Sequence, residues 1–229
     1  MVRVKWFGHA AFLVDVGGKK FLVDPWITNP KSPVKNVREV AGNVDYIIVT
    51  HDHGDHLGDT LELMRANKSI KLIAIYEIAD YVGRELGDQE RVIGANIGGP
   101  IDLGNGYYVI LTNALHSSSR GHATGAVFGR EGELVYHAGD TGLTYDMKLI
   151  GDLYKPLVAI LPIGGHFTMG PREAAKAVEL IRPKYAIPMH YETFPVIKGR
   201  PEEFKEYVSK IAPEVKVVIL RPGEEVELK

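Results

Sequence analysis

Near the start of the chain, in VRVKWF, apolar residues alternate with Arg3 and Lys5, the period of two expected of a strand with one face on a core. AAFLVDV and KKFLVDP repeat the strand signal on either side of a Gly-Gly turn and predict a hairpin. VDYIIVT is almost unbroken apolar sequence, as for a strand covered on both faces. The period then lengthens in GDTLELMRANK, which predicts a helix, followed by a strand at IKLIAI and a helix from Glu77 to Leu86. A turn-rich ribbon, RVIGANIGGPIDLGNG, leads to the strand YYVILTNALH and to a second hairpin, ATGAVFG and ELVYHAG, around REGE. The remainder alternates: helices at YDMKLIGDLY, GPREAAKAVELI and RPEEFKEYVSKIA, strands at LVAILPI, KYAIPMH and VKVVIL. Pro171 and Pro201 stand where first helical residues belong, since proline lacks only an N–H that is unpaired there.

No Ser/Gly-rich linker or block of charge divides the chain, so one domain over residues 1–229 is expected. An internal echo runs through it. GHAAFLVDVGGKKFLVD from Gly8 and GHATGAVFGREGELVYH from Gly121 both read Gly-His-Ala, strand, glycine-containing turn, Leu-Val. Each half also sends a strand straight into a histidine, at Thr50-His51 and Met189-His190. The pattern suggests a duplicated unit, with halves of about 1–115 and 116–229. The fold class is α/β: two mixed sheets face to face with helices outside.

Composition narrows this picture modestly. The 229 residues are 45% hydrophobic and 24% charged, an ordinary balance for a globular core, and no apolar run approaches the ~20 residues that cross a bilayer. The N-terminus reads as a first strand rather than a signal peptide, so a cytoplasmic protein is expected. A net charge of −2 shows no global attraction to nucleic acid or to membranes. The absence of cysteine excludes disulfides and thiolate metal sites. Scarce glutamine with abundant Val, Ile, Lys and Glu fits a thermophile.

The chemistry concentrates in THDHGDHLGD, residues 50–59, which holds three of the nine histidines within six positions. Neutral imidazole and carboxylate are donors that divalent transition metals prefer. His51 and His53, two apart on a turn leaving a strand, can point at one ion. Asp55 and His56 fall where a helix begins, where adjacent side chains diverge by about 100°, so they aim elsewhere. The spacing therefore suggests two ions. Further donors stand at strand ends, which gather at one edge of a mixed sheet: His116, Asp140 and His190. The count closes with His51, His53 and His116 on one ion, Asp55, His56 and His190 on the other, and Asp140 bridging. Asp52 and Asp59 read by default as a solvated face or a helix cap.

In order and rough spacing, THDHGDH, His116, the Gly139-Asp140-Thr141 triplet and His190 resemble the metallo-β-lactamase-fold superfamily over essentially the whole chain. The resemblance implies a four-layer αβ/βα sandwich of two similar halves with a dinuclear site at the shared edge. It also implies that Asp24 of FLVDP supports the histidine loop from the second shell of the site. WFGHAAFLV and GGHFTMGPREAA are similar to a small branch of metal-dependent hydrolases related to L-ascorbate-6-phosphate lactonase. The Gly-His near the start also resembles N-acyl-phosphatidylethanolamine phospholipase D.

The function expected is therefore metal-dependent hydrolysis, in which a hydroxide shared by two divalent ions cleaves an ester, lactone or phosphoester bond of a small metabolite, phosphorylated or not. Zinc leads among the ions, and Mn, Fe, Ni or Co suit the same donors. Asp55 and Asp140 are the catalytic carboxylates, Asp55 orienting the hydroxide. His9, which the fold places near the metals, is a candidate to bind substrate or protonate the leaving group. His166 precedes a helix N-terminus and is a candidate anion contact. His137 reads as a supporting or core residue and His122 as a loop residue. Trp26, Phe167, Tyr191 and Phe194 read as core rather than pocket wall, and Lys198-Gly199-Arg200 as a solvated loop. The partner is a small molecule; the near-neutral charge argues against nucleic acid, no membrane is involved, and a homo-oligomer is compatible. The alternatives are a phosphodiesterase or nuclease on the same fold, or a metal-binding protein without activity.

Overall fold

The structure, a computed structural model, describes all 229 residues as two compact units. The first unit comprises 1–97, 117–123 and 221–229; the second comprises 98–116 and 124–220. Each is one seven-stranded mixed sheet with its own helices.

In the first unit, β1 (Val2–Trp6), β2 (Phe12–Val16) and β3 (Lys19–Val23) form an antiparallel run, and β4 (Tyr46–Val49), β5 (Lys71–Ile75) and β6 (Val92–Ala95) continue it in parallel. Gly17 and Gly18, with φ of 56° and 94°, make the β2–β3 turn of the type the sequence called for. The helices are α1 (Arg38–Ala41), α2 (Gly54–Leu57), α3 (Thr60–Ala66) and α4 (Tyr76–Leu86). One face of the sheet contributes Leu13, Leu22, Ile47, Val49 and Leu72 to a core shared with Leu63 and Met64 of α3 and Ile78 and Val82 of α4. The other face, with Phe12, Val14, Phe21 and Ile48, is equally buried, which is why β4 reads as unbroken apolar sequence.

The helix expected over GDTLELMRANK is α3, and the short helix α2 that precedes it ends at Gly58. Its φ of 46° and ψ of −130° suit glycine, and a Cβ there would lie 2.6 Å from the backbone nitrogen of Trp26.

The second unit begins with β7 (Ile101–Asp102), β8 (Tyr107–Asn113), β9 (Thr124–Arg130) and β10 (Val135–His137), paired antiparallel. After α5 (Asp146–Tyr154) come β11 (Val158–Pro162), α6 (Pro171–Ile181), β12 (Tyr185–Met189), α7 (Pro201–Ile211) and β13 (Lys216–Val217), the three strands adding in parallel. Pro171 and Pro201 open their helices as expected. The predicted strand VKVVIL pairs only over β13. The chain ends in β14 (Glu225–Leu228), which returns to the first unit and pairs antiparallel with β1.

Both sheets repeat one pairing pattern. The order β14-β1-β2-β3-β4-β5-β6 and the order β7-β8-β9-β10-β11-β12-β13 each run through three antiparallel and then three parallel pairings. The Gly-His-Ala echo precedes the equivalent strands β2 and β9. In each sheet the carboxyl ends of the second, fourth, fifth and sixth strands of this series share an edge, and every candidate ligand follows such a strand end. No helix is long and apolar enough to cross a membrane.

Candidate metal centre

The first unit gathers six candidates at one edge: His9 after β1, Asp24 after β3, and His51, His53, Asp55 and His56 after β4. Asp24 organises them. Its Oδ1 accepts the Thr50 amide at 2.8 Å, and its Oδ2 accepts the Thr50 hydroxyl and His56 Nδ1, each at 2.7 Å. A carboxylate only accepts, so His56 carries its proton on Nδ1 and presents the lone pair of Nε2, which lies 4.0 Å from Asp55 Oδ2. The same logic runs one step further. With its one proton given to Asp24, Thr50 Oγ1 must accept from His51 Nδ1, 3.1 Å away, so His51 too presents Nε2 as a lone pair. One buried carboxylate thus sets the tautomer of two imidazoles.

The donors fit a divalent ion. His51 Nε2 and His53 Nδ1 stand 3.0 Å apart. Two nitrogens at zinc-bond lengths on one tetrahedral ion would be about 3.3 Å apart. The ligand atoms of His9, Asp55 and His56 all lie within 4.8 Å of one another. His9 Nε2 lies 2.9 Å from Asp55 Oδ2, and its ring, excluded from solvent, sits edge-on to Trp26 at 5.5 Å and to His56 at 5.6 Å.

The second unit gathers three candidates at its corresponding edge. His190 Nε2 is 3.0 Å and His116 Nε2 3.6 Å from the same oxygen, Oδ2 of Asp140. The loop holding Asp140 is tied on both sides, by the Leu115 amide to Thr141 Oγ1 at 3.0 Å and the Met169 amide to the Thr141 carbonyl at 3.0 Å. His137, buried on β10, accepts the Gly139 amide on Nδ1 at 3.2 Å. Among the eight non-glycine residues with positive φ are His9, Asp24, His166 and His190, at 53°, 45°, 63° and 56°. Half of these unusual conformations therefore fall on residues singled out for chemistry, where retained strain points to a functional constraint.

His166 is exposed, its ring edge-on to Phe167 at 4.4 Å. His122 is an exposed loop residue, and Lys198 and Arg200 are exposed as expected. Phe167 is 52% exposed and so is not core; its loop leaves the sheet edge instead of folding beneath it.

Neither Asp52 nor Asp59 faces solvent, and Asp59, although it is the N-cap residue of α3, makes no side-chain bond to that helix. The Asp52 side chain is 1% exposed and accepts the Ser119 amide at 2.7 Å, Arg120 Nη1 at 2.8 Å and the Ser118 hydroxyl at 2.9 Å. Burial alone would raise this carboxyl; the Ser119 amide, the Arg120 guanidinium and the Ser118 hydroxyl outweigh it and hold it below the usual carboxylate range. Asp59 accepts the Thr28 amide at 2.9 Å and the Thr28 hydroxyl at 2.9 Å, while its own amide bonds the Pro25 carbonyl at 3.0 Å. It thereby fastens the loop that begins with Asp24. The partners of both lie more than 25 positions away, at Ser118–Arg120 and Thr28, so no local pattern reveals them.

Comparison with known proteins agrees with this chemistry. A family model described as a β-lactamase superfamily domain matches residues 19–191. A UPF0173 metal-dependent hydrolase of Hyperthermus butylicus is 53% identical over 98% of this chain and 98% of its own. One of Thermofilum pendens is 55% identical over 99% of each. Among solved structures, Igni18, a metallo hydrolase from the hyperthermophilic archaeon Ignicoccus hospitalis, superposes with a TM-score of 0.92 at 46% identity. That match covers 100% of this chain and 99% of the other.

Proposed function

The chain belongs to the β-lactamase superfamily and is a metal-dependent hydrolase, and from that premise we propose that its two ligand sets serve one two-ion centre cleaving an ester, lactone or phosphoester of a small metabolite. His51, His53 and His116 are assigned to one ion, Asp55, His56 and His190 to the other, and Asp140 to both. Zinc is the first assignment, with Mn, Fe, Ni or Co suited to the same nitrogen and oxygen donors. The observation that carries the reading is the single oxygen of Asp140 held 3.0 Å from His190 and 3.6 Å from His116, two imidazoles assigned to different ions.

Divalent ions bound there lower the pKa of water and polarise a carbonyl or phosphoryl oxygen. The chain's own residues do the rest. Asp24 and Thr50 hold His56 and His51 in the tautomers that offer Nε2. Asp55 accepts a proton-bearing group at Oδ2 and orients the attacking water. Because the ring of His9 is excluded from solvent, it acts through Asp55, its Nε2–H fixing the carboxylate at 2.9 Å. His166, exposed on the loop after β11, is the candidate to touch substrate directly.

The loops leaving the second sheet's edge narrow the substrate. Leu115, Leu143, Phe167 and Val196 follow β8, β10, β11 and β12, and are 54%, 37%, 52% and 45% exposed. At least one large apolar side chain stands exposed on each loop of this edge that carries a candidate site residue. This favours a substrate with an apolar portion beside the scissile bond.

The test is a panel of nitrophenyl esters, lactones and phosphodiesters of graded apolar size, with metal restored. The expected result is turnover that rises with apolar size and is abolished in Asp140→Ala. Turnover that Asp140→Ala leaves intact would overturn the assignment.

A further inference from the structure

The loops that precede β2 and β9 occupy equivalent places in the two sheets, yet they differ in length: residues 7–11 against residues 114–123. The additional stretch, Ser117–Ala123, packs with the first unit although it is flanked on both sides by strands of the second. What fastens it is the carboxylate standing between the two histidines of the His51–His53 turn. Asp52 takes three donors from consecutive residues: the Ser118 hydroxyl, the Ser119 amide and the Arg120 guanidinium. The Ser118 hydroxyl also lies 3.0 Å from the Arg120 carbonyl, closing the turn on itself. Arg120 lies 3.9 Å over the ring of Tyr81 on α4, and Gly121 passes so close to Glu77 that a Cβ would overlap its carboxylate. Ser117, the residue after His116, stands with its hydroxyl 3.5 Å from His53 Nε2.

We propose that Asp52 is a positioning residue, a clasp that fixes Ser117–Arg120 against the His51–His53 turn and so sets where His116 is presented. The proposal rests on the assignment of His116 to the ion held by His51 and His53. Its force comes from chain connectivity. Ser118 is two residues from His116, a reach of about 7 Å at most, so an anchored Ser118 leaves His116 little freedom. A charged side chain inside a His-x-His turn would ordinarily face water. This one is withdrawn from water and spends its acceptor capacity on the segment that follows another candidate ligand. A residue orienting a ligand from behind in this way typically contributes 10–100-fold to metal affinity.

The experiment compares the wild-type chain with Asp52→Ala and Asp52→Asn by amide hydrogen exchange, by trypsin cleavage after Arg120, and by zinc titration against a chromophoric chelator. In Asp52→Ala the Ser119 amide is expected to lose protection and the Arg120–Gly121 bond to become cleavable. One of the two zinc affinities should fall about 10–100-fold while the other holds. Asp52→Asn, which keeps an acceptor for the Ser119 amide, should fall between. If Asp52→Ala does not fold, Arg120→Gln opens the clasp from its 41%-exposed end and carries the same exchange and zinc-affinity expectations, the trypsin site being lost with the arginine. Loss of protection with both zinc affinities unchanged overturns the positioning role, as does unchanged protection. Failure of the wild-type chain itself to bind two zinc ions would instead overturn the two-ion assignment, and the two failures are separate readings.

Discussion

Asp24 Oδ2 receives the Nδ1 proton of His56 across 2.7 Å, and neither side chain reaches solvent. Through Thr50 the same carboxylate also governs His51. Replacing Asp24 with alanine is predicted to lower metal affinity by about 10–100-fold without removing any ligand. Thr50 separates the two effects. Thr50→Val should weaken only the ion held by His51, whereas Thr50→Ser, which keeps the hydroxyl, should bind like wild type. Metal titration of the three variants decides this, and equal behaviour of valine and serine would refute the relay.

His9 and Asp55 form the second such pair, 2.9 Å apart, with the imidazole buried. His9→Ala is predicted to leave two ions bound and to reduce kcat by about 10–100-fold with little change in KM, since it disturbs a group that acts after binding. Steady-state kinetics with metal analysis of the same sample checks this. A chain that lost one ion would make His9 a ligand instead.

How far the sequence disclosed these relationships depends on how local each one is. The strands, the β2–β3 hairpin and the proline-initiated helices were legible because period and turn chemistry are local. The start of a helix within THDHGDHLGD, at Gly54 just after the His51–His53 turn, was legible too, because the change of period there is local. β14 was not, since EVEL is polar on alternate positions at a sheet edge and is defined only by its distant partner β1. The burial of Asp52 and Asp59 was hidden for the same reason: their donors, Ser118–Arg120 and Thr28, are far away in sequence. Phe167 was misjudged as core because an apolar side chain on an edge loop carries no sign of which way it faces.

Gly58 and Asp59, the last two residues of the motif, hold the Asp24 loop from behind. Asp59→Ala removes the acceptor for the Thr28 amide and hydroxyl and is predicted to destabilise the fold by about 1–3 kcal/mol. Gly58→Ala should cost more than about 1 kcal/mol, because its backbone conformation suits glycine and a Cβ would strike the Trp26 backbone. Urea unfolding of the metal-free proteins measures both. An unchanged midpoint in either variant would show that the loop is anchored elsewhere.

The most direct test of the account is the number of divalent ions that the native chain holds, measured by elemental analysis after purification without chelator and repeated on Asp140→Ala. The account predicts two ions per chain and weakened retention of both in the variant, because one carboxylate oxygen stands beside the imidazoles assigned to each. A single ion in the native chain, or an Asp140→Ala chain that retains two as tightly, would contradict it.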